Sequence, residues 1–126
     1  MILDSSALIA LLRNEPGAEK VATRASDALI AATNLVEVGD NFVRHGVELL
    51  ELRRAVADLK LEVVPVDAAL AMEAAALFLL TRSAGLSLAD RTCLALAKRE
   101  QKPALTADRV WLRIADAIGV EVELIR

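Results

Sequence analysis

Two phenylalanines, one tryptophan, no tyrosine, one histidine and one cysteine are all that 126 residues hold of the groups on which much binding and redox chemistry relies. With so few aromatics, stacking platforms that capture single-stranded nucleic acid are not expected, and the core must be built from Leu, Ala, Val and Ile. A single cysteine, Cys93, excludes an internal disulfide and a thiolate zinc site, and fits a reducing cytoplasm. It lies on an apolar helical face without a histidine nearby, the setting of a small core residue. A single histidine, His45, rules out a ribonuclease mechanism that needs a histidine pair, and its place beside Gly46 suits a cation at a helix C-terminus. Apolar runs are broken by charge well short of the roughly 20 residues of a membrane span. Met1–Leu12 lacks a basic leader and a small-residue cleavage site, so neither export nor membrane insertion is expected. There is no G-x-G-x-x-G and no phosphate loop. The formal net charge of -3 supplies no overall attraction for a polyanion, so a nucleic acid would have to be held by a local basic patch or by bound cations.

What is abundant is apolar residue, 56% against 26% charged. A chain of this length fits a single domain over residues 1–126 and buries about two thirds of its unfolded surface. Short apolar stretches at Met1–Leu3, Ala28–Ala31, Val63–Val66, Ala104–Thr106 and Val120–Ile125 read as strands. Between them Ser5–Arg13, Ala18–Ala25, Asn34–His45, Glu48–Leu59, Ala68–Arg82, Leu88–Arg99 and Val110–Ile118 carry apolar residues at helical spacing, punctuated by Gly17, Gly46, Gly85 and Gly119. The alternation predicts an α/β fold, with a mainly parallel central sheet of four to five strands flanked by helices in three layers.

Ligands of such sheets bind beyond the carboxyl ends of the strands, which singles out the acids that follow them. Asp4 comes straight after the first strand, Glu37 about two helical turns after the second, and Asp108 two residues after Ala104–Thr106. Asp90 opens the helix leading into that strand. Each has a plainer reading: Asp4 and Asp108 as N-caps, Glu37 and Asp90 as partners of Asn34 and Ser87 in capping boxes. Asp90, however, shares a helix face with Cys93, Leu94 and Ala97, where an ionised carboxylate is costly without compensation. A hard divalent cation compensates it. Such ions take oxygen ligands, and in phosphodiester cleavage they activate water and stabilise the leaving oxygen without a protein nucleophile.

At these residues the chain resembles the PIN domain and, within that family, VapC toxins. The carriers are Met1-Ile2-Leu3-Asp4-Ser5-Ser6-Ala7-Leu8, Asn34-Leu35-Val36-Glu37-Val38, Leu86-Ser87-Leu88-Ala89-Asp90 with Ala95, and Leu105-Thr106-Ala107-Asp108-Arg109, before Gly119-Val120-Glu121-Val122. The resemblance implies a Mg²⁺- or Mn²⁺-dependent endoribonuclease with Asp4, Glu37, Asp90 and Asp108 around the metal and Ser6 and Thr106 as polar supports. It also implies a homodimer and a cognate VapB-like antitoxin that occupies the groove. Two departures stand out: Trp111 where phenylalanine is more usual, and Asp40 as an added acid one turn after Glu37. Arg13, Arg91 and Arg109 are candidate contacts for RNA phosphates, or simply parts of a solvated face. A rival reading is a receiver-type signalling module with Asp67 as phosphoryl acceptor and Lys102 as its lysine, although Asp4 lacks an adjacent acid and Lys102 precedes its strand. A D-x-D phosphatase fails because Ser5 and Ser6 follow Asp4, and a PIN-like domain that binds without cleaving is the remaining alternative.

Overall fold

A computed structural model describes residues Met1–Arg126. Strands β1 (Ile2–Leu3), β2 (Leu29–Ala31), β3 (Glu62–Val64), β4 (Ala104–Thr106) and β5 (Val122–Leu124) form one sheet in the order β3-β2-β1-β4-β5, with every pairing parallel. Ile2 lies opposite Leu29 on one side and Ala104 on the other. Side chains alternate across the sheet. Ile2, Leu29, Ala31 and Ala104 enter one apolar cluster, while Leu3, Ile30 and Leu105 enter another on the opposite face. Both faces of the central strands are therefore buried, the reason they read as unbroken apolar runs. β3 is an edge strand and stops at Val64, because Pro65 has no N–H to give the ladder.

Helices α1 (Ser5–Arg13), α2 (Ala18–Ala22), α3 (Ala32–Arg44) and α4 (Leu49–Asp58) supply the buried residues of the Leu3 face. On the Ile2 face lie α5 (Ala68–Ala76), α7 (Leu88–Glu100) and α8 (Ala115–Ile118), with α6 (Phe78–Thr81) continuing from α5. The three layers and parallel sheet agree with expectation, but two helices do not run as their periodicity suggests. Ala68–Arg82 divides at Leu77, where the Thr81 hydroxyl donates back to the Leu77 carbonyl at 2.8 Å, an arrangement that bends helices. Val110–Ile118 starts as a 3₁₀ turn over Arg109–Arg113, because Trp111 and Ile114, three residues apart, both point into the Ile2 core. Gly17 enters α2 at φ 92, and a Cβ there would lie 2.5 Å from the Ile125 carbonyl oxygen, so only glycine fits. No helix is long and apolar enough to cross a membrane.

The strand order reverses direction between β1 and β4. At such a point the connections leave toward opposite faces and a crevice opens beyond the strand ends. Asp4 and Asp108 follow those two strands.

Candidate metal centre

α1 begins directly after β1, and Asp4 is its N-cap, only 4% exposed. Its Oδ2 accepts from the Ser6 hydroxyl at 2.6 Å, the Thr106 hydroxyl at 2.8 Å and, more weakly, the Ser6 N–H at 3.4 Å. Oδ1 meets only the Asn34 amide, at 3.4 Å. Ser6 and Thr106 thus stand where a supporting role requires. Burial raises the Asp4 pKa, opposed by the hydrogen bonds from Ser6 and Thr106.

α3 starts at Ala32, so Asn34 lies inside the helix and the expected capping box with Glu37 is not formed. Glu37 reaches the crevice instead. Its Oε2 accepts from the Ser5 hydroxyl at 2.6 Å, and its Oε1 lies 3.5 Å from the Ser87 hydroxyl. Asp90 does form its box: the Ser87 hydroxyl accepts from the Asp90 N–H, and Asp90 Oδ2 accepts from the Ser87 N–H at 2.8 Å. The plainer reading of Asp90 as a cap is therefore correct as far as it goes. Yet Asp90 is also pushed up to about 6, chiefly by burial and further by the negative charges of Asp4 and Glu37. A cap alone would not bring three carboxylates together.

One oxygen from each of Asp4, Glu37 and Asp90 lies within 4.8 Å of the others. In each acid one oxygen is fixed by a strong hydrogen bond, from Ser6 and Thr106, from Ser5, or from the Ser87 backbone. The other oxygen is left with a weak partner or none. That is a donor set of hard oxygens with concentrated negative charge, and it fits a divalent cation such as Mg²⁺ or Mn²⁺.

Asp108 and Asp40 line the same groove but stand outside the three-acid cluster. Asp108 is exposed and caps the 3₁₀ turn, its Oδ1 accepting from the Val110 N–H at 2.9 Å. The candidate arginines divide. Arg13 stacks on Phe42 at 4.6 Å, and Arg91 stacks on Phe78 at 5.3 Å while donating to the Ala74 carbonyl, so neither is directed into the groove. Arg109 is exposed beside Asp108. The cation that lines the groove is Arg44, on the same α3 face as Asp40 and Glu37, which sequence reasoning missed. Its signal was available: Glu37, Asp40 and Arg44 recur at three and four spacing. Ser5 and Asn34 were also missed as members of the site. His45 ends α3 with Nδ1 2.6 Å from the Asn41 carbonyl, and Cys93 is fully buried with its thiol pKa raised well above normal, first by burial and then by the acids.

The receiver arrangement is not present. Asp67 caps α5 through the Leu70 N–H, and Lys102 precedes β4, placing it at the opposite end of a parallel sheet.

The fold is a three-layer α/β sheet with an acidic crevice at its switch point, and the family match accords with that arrangement. The PIN domain model matches residues 1–117, so the chain belongs to the PIN-domain family, whose members are typically metal-dependent nucleases. No curated protein matches the chain in sequence. Among solved structures it is similar to a toxin-antitoxin complex from Klebsiella pneumoniae, with 19% identity, TM-score 0.74 and coverage of 99% of this chain and 97% of that one. DNA-bound VapBC from Salmonella typhimurium shares 18% identity at TM-score 0.70, covering 99% and 97%. FitAcB from Neisseria gonorrhoeae shares 22% at TM-score 0.70, covering 96% and 94%. At these identities the likeness establishes the fold.

Proposed function

We propose that the chain is a Mg²⁺- or Mn²⁺-dependent endoribonuclease acting as the toxin of a toxin-antitoxin pair, with Asp4, Glu37 and Asp90 as its metal-site acids and Asp108 as a further acid lining the same groove. The observation that carries this is the convergence of Asp4, Glu37 and Asp90 within 4.8 Å, each with one oxygen held by a short hydrogen bond and the other with a long one or none. When bound, a divalent cation supplies Lewis acidity, lowering the pKa of water and offsetting charge on the phosphodiester. The chain's own residues do the rest. Burial raises the pKa of both Asp4 and Asp90, and a bound cation would offset that by favouring their ionised forms. Asp108 extends the acidic edge from β4, and we assign the RNA phosphates to Arg44, which lines the groove, and to Arg109, which is exposed beside Asp108. His45 is held by the α3 carboxyl end, Cys93 is inaccessible, and the Ser5 and Ser6 hydroxyls in the groove are taken up by the Glu37 and Asp4 carboxylates, so water is the nucleophile of this reading. A cytoplasmic setting belongs to this proposal, since a lone buried cysteine fits a reducing compartment.

The partner reading draws on the toxin-antitoxin and VapBC complexes that this chain resembles in fold. An apolar groove between α3 and α4, lined by Leu35, Val43 and Leu49, shares Asp40 and Arg44 with the acidic groove, so one antitoxin segment could cover both. Met72, Phe78, Leu79 and Leu80 on α5 and α6 are exposed, which supports burial against a second copy. The free chain should then sediment as a dimer at micromolar concentration. A strict monomer there would remove the dimer.

The test of the enzyme reading is RNA cleavage by purified chain, treated with excess EDTA and then resupplied with Mg²⁺ or Mn²⁺. Cleavage should stop on chelation and return with the ion. Full activity in EDTA would sink the mechanism.

A further inference from the structure

Asn34 has no exposed surface and occupies the core stripe of α3 with Val38 and Phe42, where an apolar side chain would ordinarily stand. A buried amide group left unpaired is costly, and its Oδ1 has no partner. Packing therefore does not explain it. Its Nδ2 hydrogens do: one is directed at Asp4 Oδ1 at 3.4 Å and the other at Ser5 Oγ at 3.2 Å.

Ser5, 5% exposed at the start of α1, has one hydroxyl hydrogen and two acceptors in reach. The Glu37 Oε2 carboxylate lies at 2.6 Å and the Asn34 carbonyl at 3.1 Å. The shorter, charge-assisted bond takes the hydrogen. This gives a directed chain from the Asn34 amide to the Ser5 hydroxyl to the Glu37 carboxylate, with a branch to Asp4. Turning the amide over would set its oxygen against Asp4, so its orientation is fixed by the same carboxylate it restrains.

We infer that Ser5 and Asn34 are positioning residues that hold the Glu37 and Asp4 carboxylates at ion-binding separation, so that two side chains not themselves among the acids set much of the affinity for a divalent cation. The inference rests on the metal-centre reading. It follows from the packing: Glu37 comes from α3 and Asp4 from the end of β1, and Ser5 with Asn34 is the hydrogen-bonded tie between them. Loss of such an outer partner weakens metal binding about 10–100-fold.

The test is Mn²⁺ titration of the full chain, followed by electron paramagnetic resonance, with apo melting temperatures measured in parallel. Ser5→Ala should raise the Mn²⁺ dissociation constant about 10–100-fold, and Ser5→Thr, which keeps the donor, should recover most of the affinity. Asn34→Leu fills the stripe with an apolar group, so it should weaken Mn²⁺ binding by a similar factor without a matching loss of apo melting temperature. Wild-type Mn²⁺ affinity in Ser5→Ala and Asn34→Leu would overturn the inference, even if both melt lower. Failure of the wild-type chain to bind Mn²⁺ is a different outcome, and would overturn the metal-centre reading together with it.

Discussion

Asp4→Asn should abolish RNA cleavage while leaving the chain folded. Asp4 is the acid most fully removed from water, and its Oδ2 is anchored by hydroxyls from α1 and β4. An asparagine keeps the shape and accepts or donates to the same hydroxyls, so the packing survives. It removes the negative charge that a buried cation needs. Metal stabilisation of a phosphodiester transition state amounts to several kcal/mol, so the rate should fall roughly 10³-fold or more. Asp90→Asn should fall by a comparable factor, whereas His45→Gln, at the exposed end of α3, should stay close to wild type. Initial rates on a fluorescent RNA, with circular dichroism to confirm folding, decide it. A large loss in His45→Gln with activity retained in Asp4→Asn would reverse the assignment of roles.

The layer order, the parallel sheet and the acids that follow its strands were legible because they depend on local rules: apolar runs between turn residues, and ligand sites beyond strand ends. Asp90 was legible for a stronger reason, since a carboxylate on the Cys93, Leu94 and Ala97 face contradicts the helix's own pattern. Arg13 and Arg91 misled because proximity along the chain does not fix where a long side chain lies, and each found an aromatic ring, Phe42 or Phe78. Asn34 was hidden by its spacing to Glu37, which mimics a capping box until the helix is seen to start two residues earlier. Its spacing of four from Val38 was the better signal, for it marks a polar residue on a buried stripe. The 3₁₀ turn at Arg109–Arg113 depends on how Trp111 and Ile114 meet the sheet, which no local pattern encodes.

The second large effect concerns stability, pH and metal together. In the metal-free protein Asp90 releases its proton at about 6 against 3.8 for an unperturbed aspartate, and Asp4 is raised as well. The folded state therefore binds protons more tightly than the unfolded one. The resulting stability is fully present below the unperturbed value and is lost as pH rises through the folded value, over the window from 3.8 to about 6 for Asp90. Because Asp90 is partly solvated, its share is on the order of 1–2 kcal/mol after allowing for screening. Melting temperature in EDTA should fall from about pH 4 to pH 6 and then level off as far as these groups govern it.

Mg²⁺ at pH 7 should restore what was lost by binding only the folded site, by about 2.7 kcal/mol at a hundredfold excess over its dissociation constant. At pH 4 protons compete for the same oxygens and the ion should do little. Asp90→Asn keeps an oxygen to accept from the Ser87 N–H, so the start of α7 stays capped while a repelling charge is gone. Its apo melting temperature at pH 7 should rise, its pH dependence should flatten, and its response to Mg²⁺ should shrink. If the variant melts lower without metal yet responds to Mg²⁺ as the wild type does, Asp90 is a cap and nothing more.

The most direct test of the central claim is anomalous X-ray scattering from crystals of the chain grown with Mn²⁺, compared with Asp4→Asn crystals treated identically. A manganese peak enclosed by Asp4, Glu37 and Asp90, and absent from the variant, is the expected result. A peak elsewhere on the chain, or one of equal height in Asp4→Asn, would contradict the assignment of these three acids as the metal centre.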